Sequence, residues 1–357
     1  MSKYYEVIGV SGNGDALSEV RQNEGIRTHA VEMTRSITPL KDLIATYKLY
    51  KFFKKEKPFI VHTHTPKAGT LGMLAAKLAG VPHRLHTIAG LPLLEVKGAK
   101  RKLLDTVEKI TYACATKILP NSFGLEAIVL KNNYTKSSKL QVIGNGSSNG
   151  IDVAHYDSKH VLELTKENLK KELNITINDV VFIFIGRMVK DKGLNELVYA
   201  FNELSKTNTN SKLLLVGPHE NHLDPLLPET ELLIKTNKQI LAIGVQKDIR
   251  PYVSISHALT FPSYREGFPN VVLQASCMNL PCIVSNINGC NEIIEQKING
   301  IIVTPKNEDE LQDAMQFIID NPEKRIEMAK HSRSRIVARY EQNFVWNELL
   351  KLYKNLG

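Results

Sequence analysis

The sequence predicts an α/β protein built from two doubly wound, Rossmann-like domains. At 357 residues the chain is too long for one compact core, so two domains are expected. Short apolar runs alternate with helical patterns almost throughout, which is the signature of parallel sheets with crossover helices. A Gly/Ser-rich stretch leads into Asn149-Gly150-Ile151-Asp152, where the pattern breaks. The expected layout is a first domain over 1–155, a second over 156–338, and a final segment over 339–357.

In the first half, strands are expected at Tyr5–Val10, Arg27–Met33, Phe59–His62, His83–Thr87, Lys117–Leu119 and Lys139–Ile143. In the second they are expected at Val180–Ile185, Lys212–Val216, Gln239–Ile243, Ala258–Phe261, Pro281–Val284 and Gly300–Val303. A helix is expected over Thr38–Lys57, and a last one over Gln342–Asn355 carrying Phe344, Trp346, Leu349, Leu350 and Tyr353. Ligands in such folds bind at the carboxyl ends of the strands.

Composition narrows the function classes. Apolar residues make up 43% and charged residues 23%, ordinary values for a soluble protein. The first residues lack an apolar segment behind a basic end, so no signal peptide is read there. The longest clean apolar run, Val180 to Ile185, is far short of a membrane span. Cys114, Cys277, Cys282 and Cys290 show no C-x-x-C spacing, which fits buried thiols in a reducing cytoplasm. The net charge of +9 is uneven: residues 1–158 carry 22 Lys and Arg against 13 Asp and Glu, and the remainder carries 24 of each sign. No nucleic-acid motif accompanies the basic half, so nucleic acid is not an expected partner. An anionic membrane surface or an acidic lipid diphosphate fits the charge better.

Two segments of the second half carry the chemistry. After the Val180–Ile185 run comes Gly186-Arg187-Met188-Val189-Lys190-Asp191-Lys192-Gly193. A glycine at a strand end lets a substrate approach the backbone. Arg187 and Lys192 then supply one forked and one point-like cation, a pair suited to the growing charge of a diphosphate leaving group. After Ala258–Phe261 comes Arg265-Glu266-Gly267-Phe268-Pro269-Asn270, with Gln274 four residues beyond Asn270. Pro269 suits the first turn of a helix, whose free N–H groups near Phe268–Asn270 could hold phosphate. An ordinary strand–turn–helix explains Gly267 and Pro269 but not the acidic residue in the loop.

These segments resemble the Gly-Arg…Lys-Gly and Glu-x7-Glu patterns of retaining glycosyltransferases of the GT-B type, specifically the family 4 group. The resemblance covers nearly the whole chain. It implies a GT-B fold, two Rossmann-like domains facing each other across a cleft, with the last helix crossing back to the first domain. It further implies that Glu266 contacts the transferred sugar, that Gly186, Arg187, Lys192, Gly217, Gly244, Val245, Glu266, Gly267, Phe268, Pro269 and Asn270 line the donor site, and that Gln274 meets the ribose. Gln274 replaces the family's second Glu; it keeps a hydrogen-bonding carbonyl and loses the charge, which bears on ribose recognition rather than on the reaction. Glu292, in Ile287-Asn288-Gly289-Cys290-Asn291-Glu292-Ile293, reads as structural. No Asp-x-Asp occurs, and neither an essential metal nor any cofactor is expected.

On the acceptor side, Val61-His62-Thr63-His64-Thr65-Pro66-Lys67 and Leu85-His86-Thr87 each follow a strand. They resemble members that assemble capsular or lipid-linked surface glycans. The expected acceptor-side residues are His64, Thr65, Lys67, His86 and Asn145, with His86 near the donor sugar and counted with Glu266, Arg187 and Lys192 as catalytic. A zinc site from H-x-H plus a distant His is weak by spacing. The Thr38–Lys57 helix carries Leu40, Leu43, Ile44, Tyr47, Tyr50 and Phe53 with Lys48, Lys51, Lys54, Lys55 and Lys57. That is the pattern of a helix lying on a membrane, although cations near a helix end also complement its dipole and an apolar stripe is equally the mark of a core-facing helix.

The start of the chain aligns with the family's second strand rather than its first. The usual first strand, its glycine loop and much of the first helix are therefore expected to be missing. The resemblance as a whole implies front-face transfer of a sugar from a nucleotide diphosphate sugar, with UDP expected, to a polyprenyl-diphosphate-linked or other glycan. This places the chain in the cytoplasm, at the inner face of the membrane. A nucleotide-sugar epimerase of similar architecture and a non-catalytic nucleotide-binding remnant remain as alternatives.

Overall fold

The computed structural model describes residues 1–34, 38–220 and 224–357. The chain divides into two compact units. The first comprises Met1–Asn121, Leu125–Ile143 and Asn347–Gly357, and the second Ser122–Gly124 and Gly144–Trp346.

The first unit holds β1 (Ile8–Ser11), β2 (Arg27–Ala30), β3 (Ile60–Thr63), β4 (His83–Ile88) and β5 (Lys117–Pro120). All pairings are parallel, but they form two separate sheets, β1-β2 and β3-β4-β5. The chain's first strand is thus β1, which pairs with β2 alone among the described residues. It begins at Ile8 rather than Tyr5, because the N–H groups of Tyr4 and Tyr5 close a turn onto the Met1 carbonyl at 2.8 and 3.1 Å. The core lies between the sheets and the helices Pro39–Glu56 and Pro66–Ala79, with Leu49, Phe53, Met73, Ala76 and Tyr112 buried in it.

The strand expected at Lys139–Ile143 does not form. Ser137–Lys139 is a single 3-10 turn, and only Leu140 bridges to Ile118. The Lys139 ammonium donates to the carbonyls of Tyr112 and Ala115 at 3.0 and 2.8 Å, at the end of helix Gly98–Cys114. That tie satisfies orphan helix carbonyls and fixes the turn where a ladder would have started. The last helix, Gln342–Lys354, places Leu349, Leu352 and Tyr353 against Leu85, Leu119 and Ile143 of the first unit. Its Phe344 and Trp346, expected as apolar contacts, are 37% and 46% exposed.

The second unit contains β6 (Val180–Ile185), β7 (Ser211–Val216), β8 (Ile240–Gly244), β9 (Ala258–Phe261), β10 (Cys282–Ser285) and β11 (Gly300–Val303). They make one parallel sheet in the order β11-β10-β9-β6-β7-β8. Every side chain of β9 and β10 is buried, which is why these strands are mostly apolar, with only Thr260 and Ser285 polar. From β6 the chain winds outward through β7 and β8; from β9 it winds the other way through β10 and β11. β6 and β9 are neighbours, paired at Phe182↔Ala258 and Ile183↔Leu259. The sheet's topological switch point lies between them, where open α/β sheets leave a crevice beyond the strand ends.

Candidate active site

The loops leaving β6 and β9 meet at this switch point. A 3-10 turn over Lys190–Lys192 ends at Gly193 in the left-handed region, φ 71°. An added Cβ at Gly193 would lie 2.1 Å from the Pro262 carbonyl oxygen, so only glycine lets the two loops close to this distance. The contact brings together residues 74 positions apart: the Lys192 ammonium pairs with the Glu266 carboxylate, both side chains about one-sixth exposed. Ser263 Oγ donates to the same carboxylate oxygen at 2.8 Å. The carboxylate is therefore held on two sides, by an ammonium and a hydroxyl.

The surrounding charges are paired as well. Arg187 Nη1 donates to Glu220 at 2.8 Å, and this hydrogen bond raises the Arg187 pKa. Arg265 Nη2 donates to Asp191 Oδ2 at 2.6 Å, and Tyr264 N donates to the Asp191 carbonyl at 3.0 Å. These two contacts of Asp191 tie the β9 loop to the β6 loop. Beneath Glu266, Asn288 Nδ2 donates to the Glu266 carbonyl. An added Cβ at Gly289 would lie 2.5 Å from the Gly267 carbonyl oxygen. Glu292 accepts the backbone N–H groups of Phe123 and Gly124, both at 2.9 Å.

Helix Asn270–Cys277 starts directly after Pro269. Phe268 is buried against Tyr340, with ring centroids 5.2 Å apart. Gln274 lies in the second turn and donates through Nε2 to the Tyr156 hydroxyl at 2.8 Å. On the other flank, Gly186 N donates to the Val216 carbonyl and Gly217 N to the Gly244 carbonyl, each at 2.9 Å. An added Cβ at Gly217 would fall 1.9 Å from the Gly186 carbonyl oxygen. Gly186, Gly217 and Gly244 thus form a close-packed step at the ends of β6, β7 and β8, with Val245 exposed beyond it. The structure brings Gly186, Arg187, Lys192, Glu266, Gly267, Phe268, Pro269, Asn270 and Gln274 to the carboxyl-end rim of one sheet. Asn145 lies elsewhere in this unit and donates to the Arg339 carbonyl at 3.3 Å.

The first unit carries the histidines. His86 on β4 is only 3% exposed; its Nδ1 is 2.9 Å from Thr63 Oγ1, and an added Cβ at Gly69 would sit 2.3 Å from its Cε1. His62 spans from the Tyr353 hydroxyl, 2.6 Å from Nδ1, to Thr87 Oγ1, 2.7 Å from Nε2. His64 lies against His62 with ring centroids 4.1 Å apart and the rings tilted by 35°, and, like Thr65, it is exposed. Lys67 pairs with Asp42 at 2.5 Å. Burial pushes the His62 pKa well below its usual value and lowers that of His86 to about 4. Among the described residues no group of three or more His, Cys, Asp and Glu is placed to hold a metal ion.

The shift at His86 has a sign. Its folded pKa of about 4 lies below the ordinary 6.5, so the fold favours the neutral ring. Stability from this group is complete above pH 6.5 and is lost as pH falls from there toward 4. The expected loss is about 3 kcal/mol by pH 4. Urea unfolding of the wild type and of His86→Gln across this range measures it, and the variant is expected to show the shallower pH dependence.

Sequence reasoning missed Ser263, Asn288 and Tyr156. Ser263 carried a local signal, a hydroxyl three residues before a loop carboxylate. Asn288 and Tyr156 carried none, because their partners lie 22 and 118 positions away.

Residues 165–335 match the family described as glycosyl transferases group 1, and residues 1–122 match the glycosyl transferase 4-like family. The capsular polysaccharide biosynthesis glycosyltransferase CapM of Staphylococcus aureus is 32% identical over 355 residues, covering 98% of this chain and 90% of that protein. The chain belongs to the group 1 glycosyl transferases. The transferase is also 31% identical over 309 residues to an Escherichia coli enzyme named UDP-Gal:alpha-D-GlcNAc-diphosphoundecaprenol alpha-1,3-galactosyltransferase, covering 85% of this chain and 77% of that one. Among solved structures, HepE of Anabaena in complex with UDP superposes with a TM-score of 0.81 at 17% identity, over 99% of this chain and 94% of that chain. At that identity the likeness concerns the fold alone. The family and the GT-B fold expected from the sequence are those found.

Proposed function

We propose that this transferase moves a sugar from a UDP-linked donor to a polyprenyl-diphosphate-linked glycan during surface polysaccharide assembly, with retention of configuration and without an essential metal or cofactor. The 32% identity to a capsular glycosyltransferase across 98% of the chain carries the reading. The name of the Escherichia coli relative supports a UDP-sugar donor and a diphosphoundecaprenol acceptor.

The switch-point residues supply the chemistry that such a transfer needs. Arg187 and Lys192 provide fixed positive charge for the departing diphosphate, whose negative charge grows in the transition state. Their present partners, Glu220 and Glu266, keep the cations oriented. As the diphosphate engages Lys192, Glu266 turns to the sugar hydroxyls while Ser263 keeps hold of the carboxylate. Two protein cations meeting the diphosphate directly fit the metal-independent form of the reaction. Gln274 and Tyr156 flank the ribose, and His86, held neutral, serves the acceptor with His64, Thr65 and Lys67 of the first unit. The same reading puts the enzyme at the inner face of the cell membrane. Among the described residues no helix is long and apolar enough to cross one.

Proton NMR of the product bond, formed with and without EDTA, tests the mechanistic part. The expected product keeps the anomeric configuration of the donor and forms at an unchanged rate in EDTA. Inverted configuration, or loss of activity restored by a divalent cation, would overturn it.

A further inference from the structure

Helix Pro39–Glu56 has two apolar faces, and only one is used by the core. Ala45, Leu49 and Phe53 point inward at 2%, 3% and 6% exposure, packed in the first unit's core. Leu40, Leu43, Ile44 and Tyr47 point outward at 79%, 68%, 55% and 54%. Their spacing of three and four residues lines them up on one side, opposite the buried stripe. Four large apolar side chains in two helical turns form a patch of the kind that monomeric proteins rarely leave to water.

The outward face continues as a cluster of cations. Lys48, Lys51, Lys54 and Lys55 follow the apolar patch, Lys41 lies within it, and Lys57 follows the last turn; all are exposed. The helix's two acids do not offset them. Asp42 is paired with Lys67 at 2.5 Å and Glu56 with Arg27 at 2.8 Å. The exposed face is thus apolar in its first half and purely cationic in its second, along roughly 27 Å of helix.

We infer that this face is the surface by which the transferase rests on an anionic phospholipid bilayer. Leu40, Leu43, Ile44 and Tyr47 enter the boundary between headgroups and acyl chains, and the lysines meet the anionic headgroups. Charge complementarity selects this occupant: a purely apolar partner would leave these six ammonium groups facing it, whereas a negatively charged interface satisfies both halves at once. The inference deepens the proposed membrane-face location and rests on that reading for which leaflet is met. The donor site, on the other unit, is not involved.

Flotation of the full chain with vesicles tests it. The wild type is expected to float with vesicles containing 30% phosphatidylglycerol, not with pure phosphatidylcholine, and to be released as salt rises, since surface charges are screened. Leu43→Asp with Ile44→Asp is expected to weaken partitioning at least about tenfold. Lys51→Gln with Lys55→Gln should weaken it by roughly fivefold per lysine. All four positions are exposed, so thermal unfolding should match the wild type, and transfer to a short-chain, water-soluble acceptor should be unchanged. That last assay separates failure of the surface from failure of the catalytic reading. Wild type that does not float, or variants that float undiminished, would overturn the inference. So would a wild-type dimer that Leu43→Asp with Ile44→Asp turns into a monomer, because a second copy would then be what covers the patch.

Discussion

Lys192→Ala is expected to lower kcat by roughly 10²–10³, the range seen when one preorganised donor to a developing negative charge is removed. Two losses add at this position. The diphosphate leaves without its point-charge partner, and Glu266 is left held by Ser263 alone on a rim where the ammonium had fixed it. The donor KM should change less than kcat, because Arg187 remains to bind the ground-state diphosphate. Lys192→Arg keeps the charge but replaces a compact ammonium with a broad planar fork, so partial recovery is expected rather than full activity. Steady-state kinetics with a UDP-sugar, beside circular dichroism showing an intact fold, give the answer. A kcat within threefold of wild type for Lys192→Ala would remove the ammonium from the chemistry.

Gly193→Ala is expected to destabilise the chain by about 2–4 kcal/mol and to reduce activity with it. The left-handed backbone at φ 71° costs a non-glycine residue about 1 kcal/mol. Overpacking adds about 1–3 kcal/mol, since the new methyl would meet the Pro262 carbonyl oxygen at 2.1 Å. Relief requires the β6 and β9 loops to separate, which draws Lys192 away from Glu266. Stability and catalysis therefore move together at this glycine, whereas Lys192→Ala should affect mainly catalysis. Urea unfolding paired with kinetics on both variants separates the two effects, and a Gly193→Ala chain of wild-type stability would show that the loops give way without cost.

The sequence revealed the sheets more fully than the site. The second unit's inner strands were legible because strands buried on both faces are mostly apolar, and β6 and β9 were located to the residue. Lys139–Ile143 misled because its pattern suits a strand, while the Lys139 ammonium is taken by helix carbonyls that no local pattern foretells. The two halves of the donor rim were each readable from their own loops, the cations after β6 and the acid after β9. Their pairing was not, because a contact across 74 residues depends on β6 and β9 being neighbours and on Gly193 meeting Pro262. For helix Pro39–Glu56 the sequence left core and surface readings open, since apolar residues occur on both sides; burial assigns Leu49 and Phe53 to the core and Leu40 and Leu43 to the surface. The burial of His86 was likewise hidden, because a polar residue near a strand end gives no sign of the Thr63 hydroxyl and the Gly69 gap that receive it.

Transfer itself is tested by the mass of the lipid product when the purified chain is given a panel of UDP-sugars and a short polyprenyl-diphosphate-linked saccharide. A lipid-linked product heavier by one sugar residue is expected, with one UDP released for each sugar transferred. Conversion of the UDP-sugar to an isomer without any acceptor would contradict sugar transfer in favour of an epimerase. UDP binding with neither transfer nor conversion across the panel would contradict it in favour of a nucleotide-binding protein that no longer catalyses.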